Sequence, residues 1–423
     1  MKKMIIEGTY NKASVFASIV ETEALKQIEE ICNQPFTEGS HIAVMPDVHS
    51  GKGCTIGLTM TLGDKICPNL VGVDIGCGMT VIKLGNKNID FPRLDEVIHT
   101  YIPSGNNSRE YQEIEDFKNS EDAIIRSYTL LAEDCINALK ARVKKVYELM
   151  RIGTLGSGNH FLEIDQDSEG NNYLIVHSGS RHLGVAICEY YMSLANERAE
   201  NSLTRREELI KEMIKTYKEE GRQKEIQKEK KRIIETFRIS EPSDLAYIEG
   251  QDYLDYLNDM RYAQKFADIN RKMIAYIICK EMELVPVESW STIHNYIDLE
   301  NLILRKGAIS LKKGEKAILP INMKEGALIV EGKGNKDYNF SGPHGAGRLM
   351  SRSEARKTIS LEDFKESMEG IYTTSVCEET LDESAFAYKN MDDILKYIAD
   401  TVEVVDVIKP IYNFKACSDE DEE

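Results

Sequence analysis

The sequence predicts an α/β protein of mixed α+β type, a single large domain in which mixed sheets are flanked by helices and interrupted by a helical excursion. Three observations predict it. The chain has 423 residues, 42 % of them hydrophobic, enough to bury a sizeable core. Short apolar runs cut by glycine and proline alternate with long stretches whose apolar residues recur at three- and four-residue spacing. No internal repeat and no Pro/Ser-rich linker divides the chain, so one interwoven domain over 1–415 is expected.

From residue 1 to about 85, runs such as "IAVMPDV", "TIGLTMTLGD" and "LVGVDIGCGMTVIKLG" read as strands joined by tight turns. The helical spacing of "DAIIRSYTLLAEDCINALKARVKKVYELM" follows at about 120–150. Strands return at "GSGNHFLEI" and "NYLIVHSGSRH", with a helix at about 184–200. Residues 205–235 carry 11 basic and 8 acidic side chains with Ile and Met at helical spacing. That pattern predicts a solvated helical excursion, with an RNA-contacting arm as the alternative. "YLDYLNDMRYAQKFADINRKMIAYIICKEM" is a further helix leading into strand-rich, glycine-rich sequence over 286–350. The acidic residues 416–423, ending "CSDEDEE", read as a disordered tail.

The composition narrows the function. A formal charge of -18 argues against a protein that coats nucleic acid through a broadly basic surface, while leaving room for a local cationic groove. No apolar run approaches the roughly 18–20 residues that span a bilayer, and the N-terminus has no secretory pattern. Nine cysteines without CxxC pairs suit a reducing compartment, so a cytoplasmic protein without membrane partners is expected.

In "VGVDIGCGM" an acid, Asp74, and a thiol, Cys77, stand three residues apart among three glycines. Most of the eight histidines also occupy glycine-, serine- or asparagine-rich turns. Imidazole, thiolate and carboxylate together suit borderline divalent ions such as zinc or manganese. Asp74 and a bridging Cys77, completed by His160, His177 and His294, would serve two ions about 3.5–4 Å apart, an arrangement suited to phosphoryl chemistry. A buried structural thiol is the plain alternative for Cys77. In "FSGPHGAGRLMSR", His344 precedes a predicted helix whose N-terminal amides favour phosphate, and a neutral imidazole there is a candidate nucleophile.

The segments "MPDVHSGKG", "VGVDIGCGM", "GTLGSGNHFLEI", "VHSGSRHLG", "DMRYAQKFADINR", "IHN" and "HGAGRLMSR" resemble, in order, the signature blocks of the RtcB family of GTP-dependent RNA ligases, with matches from about residue 41 to "YNFKA". The resemblance implies that GTP guanylylates His344 and that GMP passes to an RNA 3'-phosphate. A 5'-hydroxyl then displaces GMP, and a 2',3'-cyclic phosphate end is first opened. It implies two Mn²⁺ ions bridged by Cys77, with His160 and His177 on one and Asp74 and His294 on the other. It also implies nucleotide contacts from Asn159, His160, Phe161, Leu162, Glu163, His294, Asn295, Pro320, Ile321, Asn322, Met323, His344, Gly345, Ala346, Gly347, Tyr388 and Lys415. Glu163 would meet the guanine edge, whose N1 and N2 donors adenine lacks. RNA, GTP and an activating partner such as archease are the implied partners, and RNA repair or tRNA splicing the implied setting.

Lys52, Arg181, Arg271, Arg348 and Arg352, standing in or beside these blocks, are expected to form a local phosphate track for RNA. The chain departs from the family pattern at Ile321 and Asn322, where Gly-Ser is usual, at Ala327, where serine is usual, and at His182, where glycine is usual. The departures suggest a divergent branch devoted to RNA repair. The alternatives are a two-metal phosphoesterase or cyclic phosphodiesterase without nucleotide activation, and an inactive RNA-binding protein.

Overall fold

The computed structural model describes residues 3–17, 20–51, 53–236 and 243–416. One six-stranded sheet runs in the spatial order Met4–Glu7, Lys12–Val15, Ile42–His49, Ile56–Thr61, Ile303–Lys306 and Asn295–Asp298. Its Lys12–Val15/Ile42–His49 pair is parallel, and the remaining pairs are antiparallel.

The larger sheet carries the site. Its strands lie in the order Glu288–Ile293, Gly78–Gly85, Asn172–Ser178, Phe161–Gln166, Val402–Lys415, Gly326–Gly332 and Lys316–Asn322, with Tyr372–Thr373 added alongside Val402–Lys415. The two ends of this order meet. Ile318 N donates to Thr292 Oγ1 at 3.1 Å. Lys316 Nζ lies 2.7 Å from the Glu288 carboxylate and 3.6 Å from the Trp290 ring centroid. The sheet therefore curls almost into a barrel, with Met79, Val81, Phe161, Ile175, Ile318 and Ile329 packed together inside. Leu162, Ile164, Leu174 and Val176, on the alternate positions, join the main core with the helices. Burial on both faces explains why these strands read as nearly continuous apolar runs rather than alternating ones.

The 31-residue helix Gln251–Glu281 packs across the outer face of the 78–85 and 172–178 strands. Among its buried residues are three polar ones that pin loops to it. Asp259 accepts from Lys140 N and Ala141 N at 2.8 and 2.7 Å. Asn270 accepts from Gly153 N at 2.8 Å and donates to Ser178 Oγ at 3.1 Å. Arg271 is described with the site.

The N-terminal region contains a helix, Thr22–Cys32, where strands and turns alone were expected. Its buried Ala24, Ile28, Ile31 and Cys32 recur at helical spacing, so the signal lay in the sequence. The helical spacing expected at about 120–150 forms two helices, Ala123–Asn137 and Lys145–Leu149. Asp122 caps the first by accepting from Ile124 N and Ile125 N, an arrangement that contributes about 1 kcal/mol.

The helix expected at 184–200 runs further, from His182 to Glu219, into the charged segment. The chain reverses near Gly221 (φ +73°) and continues as Ile226–Thr236, a helix with no buried residue. Of the tail expected over 416–423, Ala416 is described and buried, and 417–423 lie outside the described residues. Among the described residues no helix is long and apolar enough to cross a membrane.

Candidate active site

The Asp-Cys turn follows the short 3-10 helix Pro68–Leu70 and ends where the 78–85 strand begins. Gly76 adopts φ +72°, a left-handed conformation that glycine takes without strain. Its N–H donates to Asn295 O at 2.6 Å, and Cys77 O accepts from His294 N at 2.9 Å, so the turn is clamped to the 294–295 backbone. Glycine is needed at 179 for another reason: a Cβ there would stand 1.9 Å from Asp74 Oδ1.

His160 immediately precedes the 161–166 strand, and His177 lies across from it on the 172–178 strand. Cys77 Sγ is 3.4 Å from His160 Nε2 and 3.3 Å from His177 Nε2. Asp74 Oδ2 is 3.2 Å from His160 Nε2. Four imidazoles stand in file, with ring centroids 5.4 Å apart for His160–His177, 5.2 Å for His177–His294 and 5.1 Å for His294–His344.

These donors fit divalent metal ions. Neighbouring donors on one ion, at bond lengths of about 2.0–2.3 Å and near-tetrahedral angles, stand about 3.5 Å apart, close to the Sγ–Nε2 separations. His177 Nδ1 is 3.1 Å from Asn159 O, a bond that leaves Nε2 as the ligating nitrogen. Burial, reinforced by neighbouring imidazoles, holds His177 and His294 well below the ordinary histidine range, so both rings are neutral. Burial and the adjacent Asp74 push the Cys77 thiol well up, so its thiolate requires a cation beside it. Asp74 remains a carboxylate: burial opposes ionisation, but His160, Cys77 and Arg181 hold it down at about 2.

Ligand atoms within 4.8 Å of one another form two groups sharing Cys77, one with Asp74 and His160, the other with His177 and His294. The expected division paired His160 with His177. The Asp74 carboxylate lies over Gly179 and meets His160.

A cleft of about 930 Å³, its open mouth included, adjoins this cluster. Asn159, Phe161, Glu163, His294, Pro320, Ile321, Asn322, Met323, His344, Gly345, Ala346, Gly347, Tyr388 and Lys415 line it, as do His177, Arg348 and Arg352. Three residues expected at the nucleotide are not on its wall. The Leu162 side chain is turned into the core, because it occupies the alternate strand position between Phe161 and Glu163. Asn295 Oδ1 is engaged by Gly307 N at 2.8 Å. His160 is directed to Asp74 and Cys77. Of the departures, Ile321 and Asn322 are on the wall, whereas Ala327 is packed inside the barrel. His182 begins the long helix, with Nδ1 2.8 Å from the buried Glu148 carboxylate.

The expected phosphate track is not a continuous surface. Arg271 is fully buried and donates to Gly76 O at 2.7 Å, Ser178 O at 2.9 Å and Thr80 Oγ1 at 3.2 Å. It is a brace beneath the Asp-Cys turn, not an RNA contact. Arg181 is also buried, with Nε donating to Thr154 Oγ1 at 3.3 Å. Lys52 lies outside the described residues. The helix after His344 begins only at Arg352, has seven residues and is capped by Ser351, whose side chain accepts from Glu354 N. The expected phosphate-binding N-terminus beside His344 is therefore not present.

Several residues escaped the sequence reading. Asp47, 1 % exposed, accepts from His344 N at 3.1 Å and lies 2.7 Å from His344 Nδ1 through the same oxygen. His49 lines the cleft, and Asn413 both lines it and donates to Glu163 Oε1 at 3.1 Å. These three stand inside the quoted blocks "MPDVHSGKG" and "YNFKA", which supplied a signal. Glu383, another wall residue, had none.

An aspartate-cysteine-histidine cluster opening onto a deep cleft, with an aspartate-held histidine at its edge, defines an enzyme equipped for metal-assisted chemistry. The family model described as tRNA-splicing ligase RtcB matches residues 27–416, and the chain belongs to the RtcB family. It is an RNA ligase. It is 33 % identical to RNA-splicing ligase RtcB1 of an Escherichia coli strain, over 93 % of this chain and 94 % of that protein. It is 32 % identical to RNA-splicing ligase RtcB of Escherichia coli K12, with the same coverage. The tRNA-splicing ligase RtcB of Aeropyrum pernix is 25 % identical over 90 % of each chain.

Proposed function

We propose that the chain is a GTP- and Mn²⁺-dependent ligase that joins RNA 3'-phosphate or 2',3'-cyclic phosphate ends to 5'-hydroxyl ends through a guanylylated His344, in RNA repair or tRNA splicing. The observation that carries this reading is the Asp47–His344 pair. With Nδ1 committed to Asp47 at 2.7 Å, Nε2 is the ring's remaining nucleophilic position. Its lone pair attacks the α-phosphorus of GTP; a P–N bond forms as the bond to the bridging oxygen breaks and pyrophosphate leaves. Asp47 orients the imidazole and stabilises the charge that develops on it.

An oxygen of the RNA 3'-phosphate then displaces the histidine, and the 5'-hydroxyl of the second strand displaces GMP. Two Mn²⁺ ions, held by Asp74, Cys77 and His160 and by Cys77, His177 and His294, would neutralise charge on the reacting phosphates. Glu163, steadied by Asn413, accepts from the guanine N–H donors, and Lys415 and Tyr388 stand further along the same wall.

The test is incubation with α-labelled GTP and Mn²⁺, followed by denaturing electrophoresis. Acid-labile label is expected on the native protein and not on His344→Ala. Label retained by that variant refutes the nucleophile, and no label on the native protein favours the phosphoesterase alternative.

A further inference from the structure

One end of the cleft is organised by a single carboxylate. Glu383 is 3 % exposed and comes from the short 3-10 helix Glu378–Glu383. Oε2 accepts from Lys415 Nζ at 2.5 Å and from the Tyr388 hydroxyl at 2.9 Å. Oε1 accepts from Arg352 at 3.1 Å and from Arg348 at 3.4 Å.

The donors come from the loop after His344 and the first residue of the helix that follows it, from the 385–388 turn and from the end of the 402–415 strand. Backbone bonds link the first two: Leu349 N donates to Ala387 O at 2.8 Å, and Lys389 N to Gly347 O at 3.1 Å. Burial opposes ionisation of Glu383, but Lys415, Arg352 and Arg348 hold its carboxyl down at about 2. Asp382 supplies a second negative charge, shared with Arg352 at 2.8 Å and Arg356 at 3.1 Å. Without Glu383, Lys415, Arg348 and Arg352 would lose the carboxylate they share in a poorly solvated wall, and like charges so placed move apart.

We propose that Glu383 is a positioning residue for the nucleotide step: it holds Lys415, Tyr388, Arg348 and Arg352 in one arrangement along the cleft wall. The inference rests on the reading that the cleft takes GTP. Because Glu383 acts through its neighbours, its loss weakens nucleotide binding more than it slows the transfer of GMP to His344.

The experiment measures GTP binding by calorimetry and adduct formation at varied GTP, on the full chain with Mn²⁺. Glu383→Gln keeps the shape and removes the charge. The GTP concentration for half-maximal labelling is expected to rise about 10- to 100-fold, the range of one or two charge-assisted hydrogen bonds, while the saturated rate changes less than threefold. Glu383→Gln combined with Lys415→Met is expected to raise that concentration by less than the product of the two single effects, because part of the Glu383 effect runs through Lys415.

If Glu383→Gln does not fold, as read by thermal melting, Glu383→Asp keeps the charge and withdraws it by one methylene. It is expected to show a smaller rise of the same kind. Label on the native protein with wild-type GTP dependence in whichever variant folds overturns the role of Glu383 alone, as do additive effects in the double variant. A native protein that neither binds GTP nor takes label overturns the nucleotide reading and this inference with it.

Discussion

Arg271→Met tests the contrast between a buried brace and an RNA contact. The methionine is close in length but carries no donor, so Gly76 O, Ser178 O and Thr80 Oγ1 each lose the bond that Arg271 makes. Hydrogen bonds from a charged donor contribute about 1.5–3 kcal/mol each, and removing one partner leaves the other with its desolvation cost. Three such bonds set a loss of about 4–9 kcal/mol, comparable with the whole stability of many domains. With an unfolding entropy of about 2 cal/mol/K per residue, a chain of this size should melt roughly 5–10 °C lower. Metal affinity should fall as well, because Gly76 precedes Cys77 in the turn that the arginine ties down. Thermal melting and Mn²⁺ calorimetry, beside RNA binding at several salt concentrations, form the assay. A variant with native melting and native metal affinity, whose only change is an RNA salt slope shallower by about one, would return Arg271 to the phosphate track.

Asp47→Asn should leave the metal cluster intact and slow labelling by GTP by about 10²- to 10⁴-fold, because the histidine loses the partner that fixes its tautomer and stabilises its charge; single-turnover labelling with a metal titration separates the two effects. Burial pushes Glu163 up to about 8, against the opposing pull of Asn413 and Lys415, so below that pH the empty cleft holds the protonated acid. Guanine donors require the carboxylate, so GTP binding expels a proton. Affinity should climb about tenfold per pH unit towards pH 8 and level off above it. Glu163→Gln should flatten that slope, and calorimetry in buffers of different ionisation enthalpy reads the proton release directly. Cys77→Ala removes the donor common to both groups and should abolish labelling and tight Mn²⁺ binding while the chain stays folded. A chelator should lower the melting temperature of the native protein but not of this variant.

Residue type carried the chemistry. An acid and a thiol among glycines at 71–79, histidines in small-residue turns, and helical spacing over 251–281 define donors and elements before any folding, because local sterics and ligand chemistry are properties of the residues themselves. What those letters do not encode is distance across the chain. His344 meets Asp47 over 297 residues, and Cys77 lies between His160 and His177 only because the strands 78–85, 161–166 and 172–178 pair in their particular register. That register turns Glu163 to the cleft and Leu162 to the core.

Charge was the least legible feature. Arg271 and Arg352 look alike in sequence, yet one is sealed beneath the Asp-Cys turn and the other stands on the cleft wall. Glu383 resembles any other acid in a net-negative chain until three segments deliver four donors to it. A charged side chain's role follows from what surrounds it after folding, and only the tertiary structure determines that.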